Sequence, residues 1–245
     1  MTPPPPTRHL ERSLLAEGHR YIAGMDEVGR GALAGPVSVG VVVVDADTGR
    51  MPAGLRDSKL LPAHVREKLC RPIARWSVAS AVGHAGPEEI DRVGIIAALR
   101  LAGMRALGTL RGAQAWPTAV ILDGSHDWLT LRGGAADSES ERAPEPAPLV
   151  QTQVKADMRC AVVAAASVLA KCERDAMMRQ RSADYPDYCW SQNKGYSAPA
   201  HLSALRTLGP SPWHRRSWAL PTPEQGLADP LFEAAEVIRA EAGGQ

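Results

Sequence analysis

Two kinds of apolar pattern alternate along this chain and predict different elements. Short runs rich in β-branched and small apolar residues cover Tyr21 to Met25, Val37 to Val44, Trp76 to His84, Thr118 to Leu122 and Leu149 to Val154. They read as five strands. Val37 to Val44 has almost no polar position, which suits a strand covered on both faces. Longer stretches, with apolar residues three and four apart, predict helices over Arg8–Glu17, Pro62–Arg75, Pro87–Asp91, Gly94–Leu110, Ala161–Arg181, Pro199–Leu208 and Pro230–Ala242. In the fourth, Ile95, Leu99, Ala102, Ala106 and Leu110 fall on one face. Pro62 suits a first helical turn, whereas Pro72 lacks an amide hydrogen and is expected to kink or end its helix early. Strands interleaved with helices indicate an α/β chain.

Composition changes that picture at the ends and in one loop. Residues 1–20 read as a tail, partly disordered over the proline-rich Met1–Thr7, and residues 21–220 as one domain. Inside it, 132–148 is rich in Gly, Ser, Glu and Pro and is expected to be a mobile loop. Residues 221–245 read as an acidic tail or helix. No run of about 18 apolar residues occurs, so no membrane span or membrane partner is expected. The N-terminus lacks a basic stretch leading into an apolar one, so it is not a signal peptide. Cys70, Cys160, Cys172 and Cys189 show no CxxC or zinc spacing and read as reduced thiols of a cytoplasmic protein.

The formal net charge is +1, which by itself points to no acidic partner. Its distribution says more. From Tyr185 to Trp218 the only acid is Asp187, against Lys194, Arg206, Arg215 and Arg216. A local basic and aromatic stretch of this kind can meet phosphates on a neutral protein.

Three of the apolar runs deliver an acid at or just after their C-terminal end: Asp26 with Glu27, Asp123, and Asp157. In open α/β sheets, sites form beyond the carboxyl ends of strands. Carboxylates gathered there repel one another, and a hard divalent cation with oxygen ligands, Mg²⁺ or Mn²⁺, relieves that repulsion. Singly, each acid also reads as a helix cap or loop residue; together they point to metal-assisted phosphodiester hydrolysis, with a phosphomonoesterase or phosphoryl-transfer enzyme as the other reading. Neighbouring strand residues face opposite ways, so Asp26 and Glu27 are expected to share a site only if the first strand has already ended at Met25.

The chain resembles ribonuclease HII in a series of blocks that arrive in the family's order. They are Gly24-Met25-Asp26-Glu27-Val28-Gly29-Arg30-Gly31, Gly35-Pro36-Val37, Asp57-Ser58-Lys59, Leu122-Asp123-Gly124, Lys155-Ala156-Asp157, Ala164 to Lys171, Arg174-Asp175, Asn193-Lys194-Gly195-Tyr196 with His201, and His214-Arg215-Arg216-Ser217. The resemblance covers Tyr21 to Leu220. It implies a ribonuclease H-like fold, a five-stranded mixed sheet flanked by helices with a helical C-terminal part. It also implies endonucleolytic cleavage of RNA in RNA–DNA hybrids and 5′ to single ribonucleotides embedded in duplex DNA, leaving 5′-phosphate and 3′-hydroxyl ends. That activity serves ribonucleotide removal during DNA replication and repair. The other reading of the same resemblance is a hybrid-binding protein without catalysis.

Carried over by position, Asp26, Glu27, Asp123 and Asp157 match the metal-binding carboxylates, with Asp26 expected to touch both ions. Gly29, Arg30 and Gly31 match the turn that senses the ribose 2′-hydroxyl, the group that separates RNA from DNA. Tyr196 matches the tyrosine at the RNA-to-DNA junction. Lys59, Ser167, Lys171 and Lys194 are candidate phosphate contacts, and His201 and His214 read as capping or packing residues. A monomer is expected. The chain departs from the family pattern at Ala156, where glycine is usual, and at Ser197-Ala198, where Gly-Thr is frequent. Gln225 to Phe232 loosely resembles a sliding-clamp peptide, although its Leu and Phe also read as helix-packing residues; clamp capture that survives its deletion would remove that expectation.

Overall fold

The valine run behaves as its composition requires. Val37–Val44 forms β2, buried along its whole length, and it pairs on both sides. The computed structural model of the chain describes residues 3–111, 114–130, 147–221 and 223. Most of the expected mobile loop, the helix over 230–242, the acidic tail and the clamp-like segment 225–232 lie outside the described residues. The chain divides into two compact units, Met1–Arg30 with Pro36–Ala176, and Gly31–Gly35 with Met177–Gln245.

The first unit holds a five-stranded mixed sheet in the order β3-β2-β1-β4-β5. β1 (Ile22–Val28) runs antiparallel to β2, and β2 antiparallel to β3 (Ala79–Ala85). β4 (Ala119–Asp123) and β5 (Leu149–Gln153) add parallel to β1. Helices α1 (His9–Ala16), α2 (Ala63–Trp76), α3 (Pro87–Val93), α4 (Ile95–Leu110), α5 (Ala156–Arg159) and α6 (Ala161–Asp184) complete it, α6 continuing into the second unit. The apolar face of α4 covers one side of the sheet, with Leu99, Ala102, Ala106 and Leu110 in the same core as Met25, Val39, Val41 and Leu122. On the other side α6 approaches so closely that glycines are required beneath it. A Cβ on Gly24 would lie 2.5 Å from the Val162 carbonyl carbon, and one on Gly40 2.3 Å from the Ala166 oxygen.

Two expectations about element ends are corrected. β1 does not stop at Met25. Its parallel pairing with β4 ends at Met25↔Leu122, but the antiparallel ladder with β2 continues through Asp26↔Gly40 and Glu27↔Val39 to Val28↔Ser38. A distant strand therefore extends it through the acids. Nor does Pro72 stop α2, which runs on to Trp76. Leu69 and Ile73 are buried and hold the last turns against the core, and Ser77 N–H closes on the Ile73 carbonyl at 3.0 Å. Ahead of β1, Thr7 makes a parallel bridge to Cys160, and the buried Arg8 donates to the Asp45 carbonyl at 3.0 Å.

The second unit is helical. Beyond α6 come α7 (Trp190–Asn193) and α8 (Pro199–Leu208), around a core of Ala34, Met178, Tyr188, Trp190 and Leu205. Here the expected basic face is corrected at one position. Arg215 is fully buried and donates through Nε and a terminal nitrogen to the Gly35 carbonyl at 3.2 and 3.1 Å, so its charge is spent inside the unit.

Candidate metal centre

Register sets the geometry of the acids. Because Met25 pairs with Leu122, one step further along both strands brings Asp26 beside Asp123 at the carboxyl end of the sheet. Asp26 is cross-strand to Gly40, whose missing side chain faces α6, so Asp26 lies on the α6 side. Glu27 therefore starts from the opposite face, and its carboxylate meets the Arg30 guanidinium at 3.5 Å. Its amide donates to Asp26 Oδ1 at 2.9 Å. The expectation that the backbone has already turned is thus replaced by a pair of acids straddling the end of an intact strand.

Asp157 arrives on α5, the short helix that follows β5. Asp123 Oδ1 accepts the amides of Ala156 at 2.7 Å and Asp157 at 3.4 Å, so one strand-end acid caps the helix that carries the next. The left-handed residue at this turn is Lys155, φ 58°, not Ala156, which is buried inside α5. A glycine is therefore not needed at position 156.

Electrostatics joins all four acids. Asp26 is 4 % exposed, and burial, followed by the charges of Glu27 and Asp123, pushes its carboxyl well above the ordinary range. Burial also raises Glu27, with Arg30 opposing it, and raises Asp123, with the charge of Asp157 adding to it. Such a set favours a bound cation. Part of that role falls to Lys59, whose Nζ is 3.1 Å from Asp157 Oδ2. Burial works to lower its pKa, but the charges of Asp26, Asp57 and Asp157 outweigh burial and raise it. As the side chains stand, no group of three or more His, Cys, Asp or Glu among the described residues is arranged to hold a metal ion. The donor set nevertheless fits a hard divalent ion in kind: all oxygen, anionic and mutually repelling.

Lys59→Met should destabilise the metal-free protein by about 1 kcal/mol or less, because the lysine side chain is largely exposed, and so lower the thermal midpoint in chelator. Added Mg²⁺ should shrink the difference. An unchanged or raised midpoint without metal would remove Lys59 as the local counter-charge.

The remaining candidates divide into exposed and internal groups. Asp57 accepts the Lys59 amide at 3.0 Å, and Ser167 Oγ lies 2.7 Å from Ser58 Oγ. Ser167 is buried, and its hydroxyl ties the Ser58–Lys59 turn to α6. Lys171 pairs with Asp175 at 2.7 Å, and Arg66 reaches the same carboxylate at 3.6 Å. Lys194 is half-exposed and Tyr196 is 36 % exposed, both in the second unit. Gly29 is fixed by sterics. Its φ is +84°, and a Cβ there would lie 2.1 Å from Arg174 Nε. That fully buried arginine donates to the Pro36 carbonyl at 2.8 Å, pinning the Gly-Arg-Gly turn from behind. Sequence reasoning gave Arg174 no role. Its signal was spacing: 163, 167, 170 and 174 continue one buried face of α6.

Comparison with known proteins follows the same residues. The family model described as Ribonuclease HII matches residues 23–220. A ribonuclease HII from Streptomyces coelicolor is 49% identical over 216 residues, 88% of this chain and 84% of that protein. Among solved structures, the ribonuclease H2 of Pyrococcus horikoshii OT3 aligns with TM-score 0.63 and 27% identity over 81% of this chain and 94% of its own. Bst-RNase HIII in complex with Mn²⁺ shares the fold, with TM-score 0.62 and 22% identity over 82% and 67%.

Proposed function

The chain belongs to the ribonuclease HII family, and on that premise we propose that it cleaves RNA endonucleolytically in RNA–DNA hybrids and cuts 5′ to single ribonucleotides embedded in duplex DNA. The observation that supports the reading is that Asp26, one step beyond the Met25–Leu122 pair at the carboxyl end of the sheet, lies within the field of Glu27, Asp123 and Asp157.

Asp26, Glu27, Asp123 and Asp157 would hold the divalent ions, Mg²⁺ or Mn²⁺. Held there, such ions would supply Lewis-acid chemistry, activation of a water and relief of charge on the leaving oxygen. The protein's own groups do the rest. Asp123 holds Asp157 in place through the α5 amides. Arg30 holds Glu27. Lys59, Ser167, Lys171 and Lys194 are the candidate phosphate contacts. Backbone groups at Gly29, Arg30 and Gly31 approach the sugar and test for its 2′-hydroxyl. The ring of Tyr196 packs at the junction, where a flat aromatic face reads the change of sugar. The products carry 5′-phosphate and 3′-hydroxyl ends, and the activity serves removal of ribonucleotides from DNA. Among the described residues no helix is long and apolar enough to cross a membrane.

A duplex with one embedded ribonucleotide, and a uniform RNA–DNA hybrid, each incubated with Mg²⁺ or Mn²⁺, test this directly. Cleavage on the 5′ side of the ribonucleotide is expected. Binding without cleavage in either metal would instead mark a hybrid-binding protein.

A further inference from the structure

A chain of buried polar groups in the second unit ends on Tyr196, and its direction can be derived. The Ser211 amide donates to His214 Nδ1 at 2.9 Å. An amide can only donate, so Nδ1 is the acceptor and the neutral ring carries its proton on Nε2. That nitrogen lies 2.9 Å from His201 Nε2. His201 Nε2 also receives the indole N–H of Trp190 at 3.1 Å, so it too is an acceptor. The proton of His201 therefore sits on Nδ1, 2.8 Å from the Tyr196 carbonyl oxygen. Two groups that can only donate thus fix both tautomers, and the hydrogen bonds run one way, from Ser211 through His214 and His201 to Tyr196. Both imidazoles are buried, and burial lowers both pKa values, that of His214 to about 4.

The end of this chain is a well-held piece of backbone. The Tyr196 carbonyl also accepts the Ala198 amide at 2.8 Å. The preceding carbonyl, of Gly195, accepts the amides of Leu33 and Ala34 at 2.8 and 3.2 Å. Gly195 has φ +85°, and a Cβ there would lie 2.4 Å from the Ala34 oxygen. Around this fixed backbone the Tyr196 side chain stays exposed.

We propose that His201 and His214 are positioning residues for the reaction, a one-way relay that holds the Tyr196 carbonyl and so aims its ring at the RNA–DNA junction. This rests on the reading of Tyr196 given above. The competing role is packing, since Tyr188 and Trp190 stack at 5.3 Å between centroids and Tyr188 meets the His214 ring edge-on at 4.6 Å. Packing alone requires no particular proton on either ring.

Side-chain geometry separates the two roles. An asparagine amide nitrogen falls where histidine carries Nδ1, and a glutamine amide nitrogen falls near Nε2. His201→Asn thus keeps the donor to Tyr196, and His201→Gln loses it while leaving a polar group near Trp190. The measurement is kcat/KM on a single embedded ribonucleotide divided by kcat/KM on a uniform hybrid, with the thermal midpoint of each variant. His201→Gln should lower that ratio about tenfold, and His201→Asn by about twofold or less, at similar losses of stability. In a Tyr196→Ala background His201→Gln should change the ratio no further. Equal ratios in the two His201 variants would reduce the pair to packing residues. A Tyr196→Ala protein with an unchanged ratio would overturn the reading of Tyr196 itself, whereas a lowered ratio there with a normal one in His201→Gln would overturn the relay alone. Nitrogen-15 resonances of the intact protein give a check that needs no variant to fold: His201 should be protonated on Nδ1 and His214 on Nε2, and the opposite tautomers would overturn the relay.

Discussion

Asp26→Asn is expected to make the metal-free protein more stable while lowering cleavage by about 10³-fold or more, on the order of 4 kcal/mol of transition-state stabilisation. The two effects share one cause. Asp26 is buried beside Glu27, Asp123 and Asp157, with Lys59 as the nearby cation in its electrostatic surroundings. Ionising it works against burial and against its neighbours' charges, and keeping it protonated at neutral pH means holding a proton that the unfolded chain releases; the neutral amide carries neither cost. The contact worth keeping survives, because the asparagine oxygen can still accept the Glu27 amide. Cleavage needs the charge that stability does not, since a divalent ion is held by the summed carboxylates. The thermal midpoint in chelator should therefore rise. On adding Mg²⁺ or Mn²⁺ the wild-type midpoint should climb and that of the variant should move less. Full cleavage by the variant in Mg²⁺ would overturn the metal assignment; a lowered midpoint in chelator would overturn the account of charge repulsion.

Local patterns made much of this site legible. The strand-end positions of Asp26 and Asp123 follow from apolar runs that stop, and β2 was readable to the residue because a valine-rich run with one polar position suits a strand covered on both faces. What escaped depends on partners remote in the chain. β1 runs on through the acids because β2 continues to pair with it, so Glu27 faces away from Asp26. Arg174 has no assigned role until Gly29, far away in sequence, is packed against it. His201 and His214 look like ordinary packing residues because a proton's position depends on which donors surround the ring. The two departures from the family pattern involve little local strain. Positive φ falls on Lys155, Lys194 and Gly195, and not on Ala156, Ser197 or Ala198, so no glycine is needed at those three positions.

The tight seam beneath α6 carries the largest expected loss of stability. Gly24→Ala should destabilise the fold by about 3 kcal/mol or more, read as the shift in the urea unfolding midpoint. Backbone conformation is not the reason, because Gly24 has no positive φ. The reason is space: the added carbon would lie 2.5 Å from the Val162 carbonyl carbon, 2.5 Å from the Val163 nitrogen and 2.6 Å from Val162 Cγ2. A side-chain tip can turn aside, but two of these atoms are helix backbone, so α6 itself must lift. Val162→Ala should therefore restore little. The strand-end acids depend on the same seam, since α5, with Asp157, immediately precedes α6 and is held by Asp123. Cleavage per folded molecule should consequently fall as well. Gly31→Ala is the control. An added Cβ there meets nothing within 4 Å, so its stability should stay within about 1 kcal/mol of wild type while cleavage at an embedded ribonucleotide drops. If Gly24→Ala unfolds within about 1 kcal/mol of wild type, the helix is not seated on that glycine and the seam does not place Asp157.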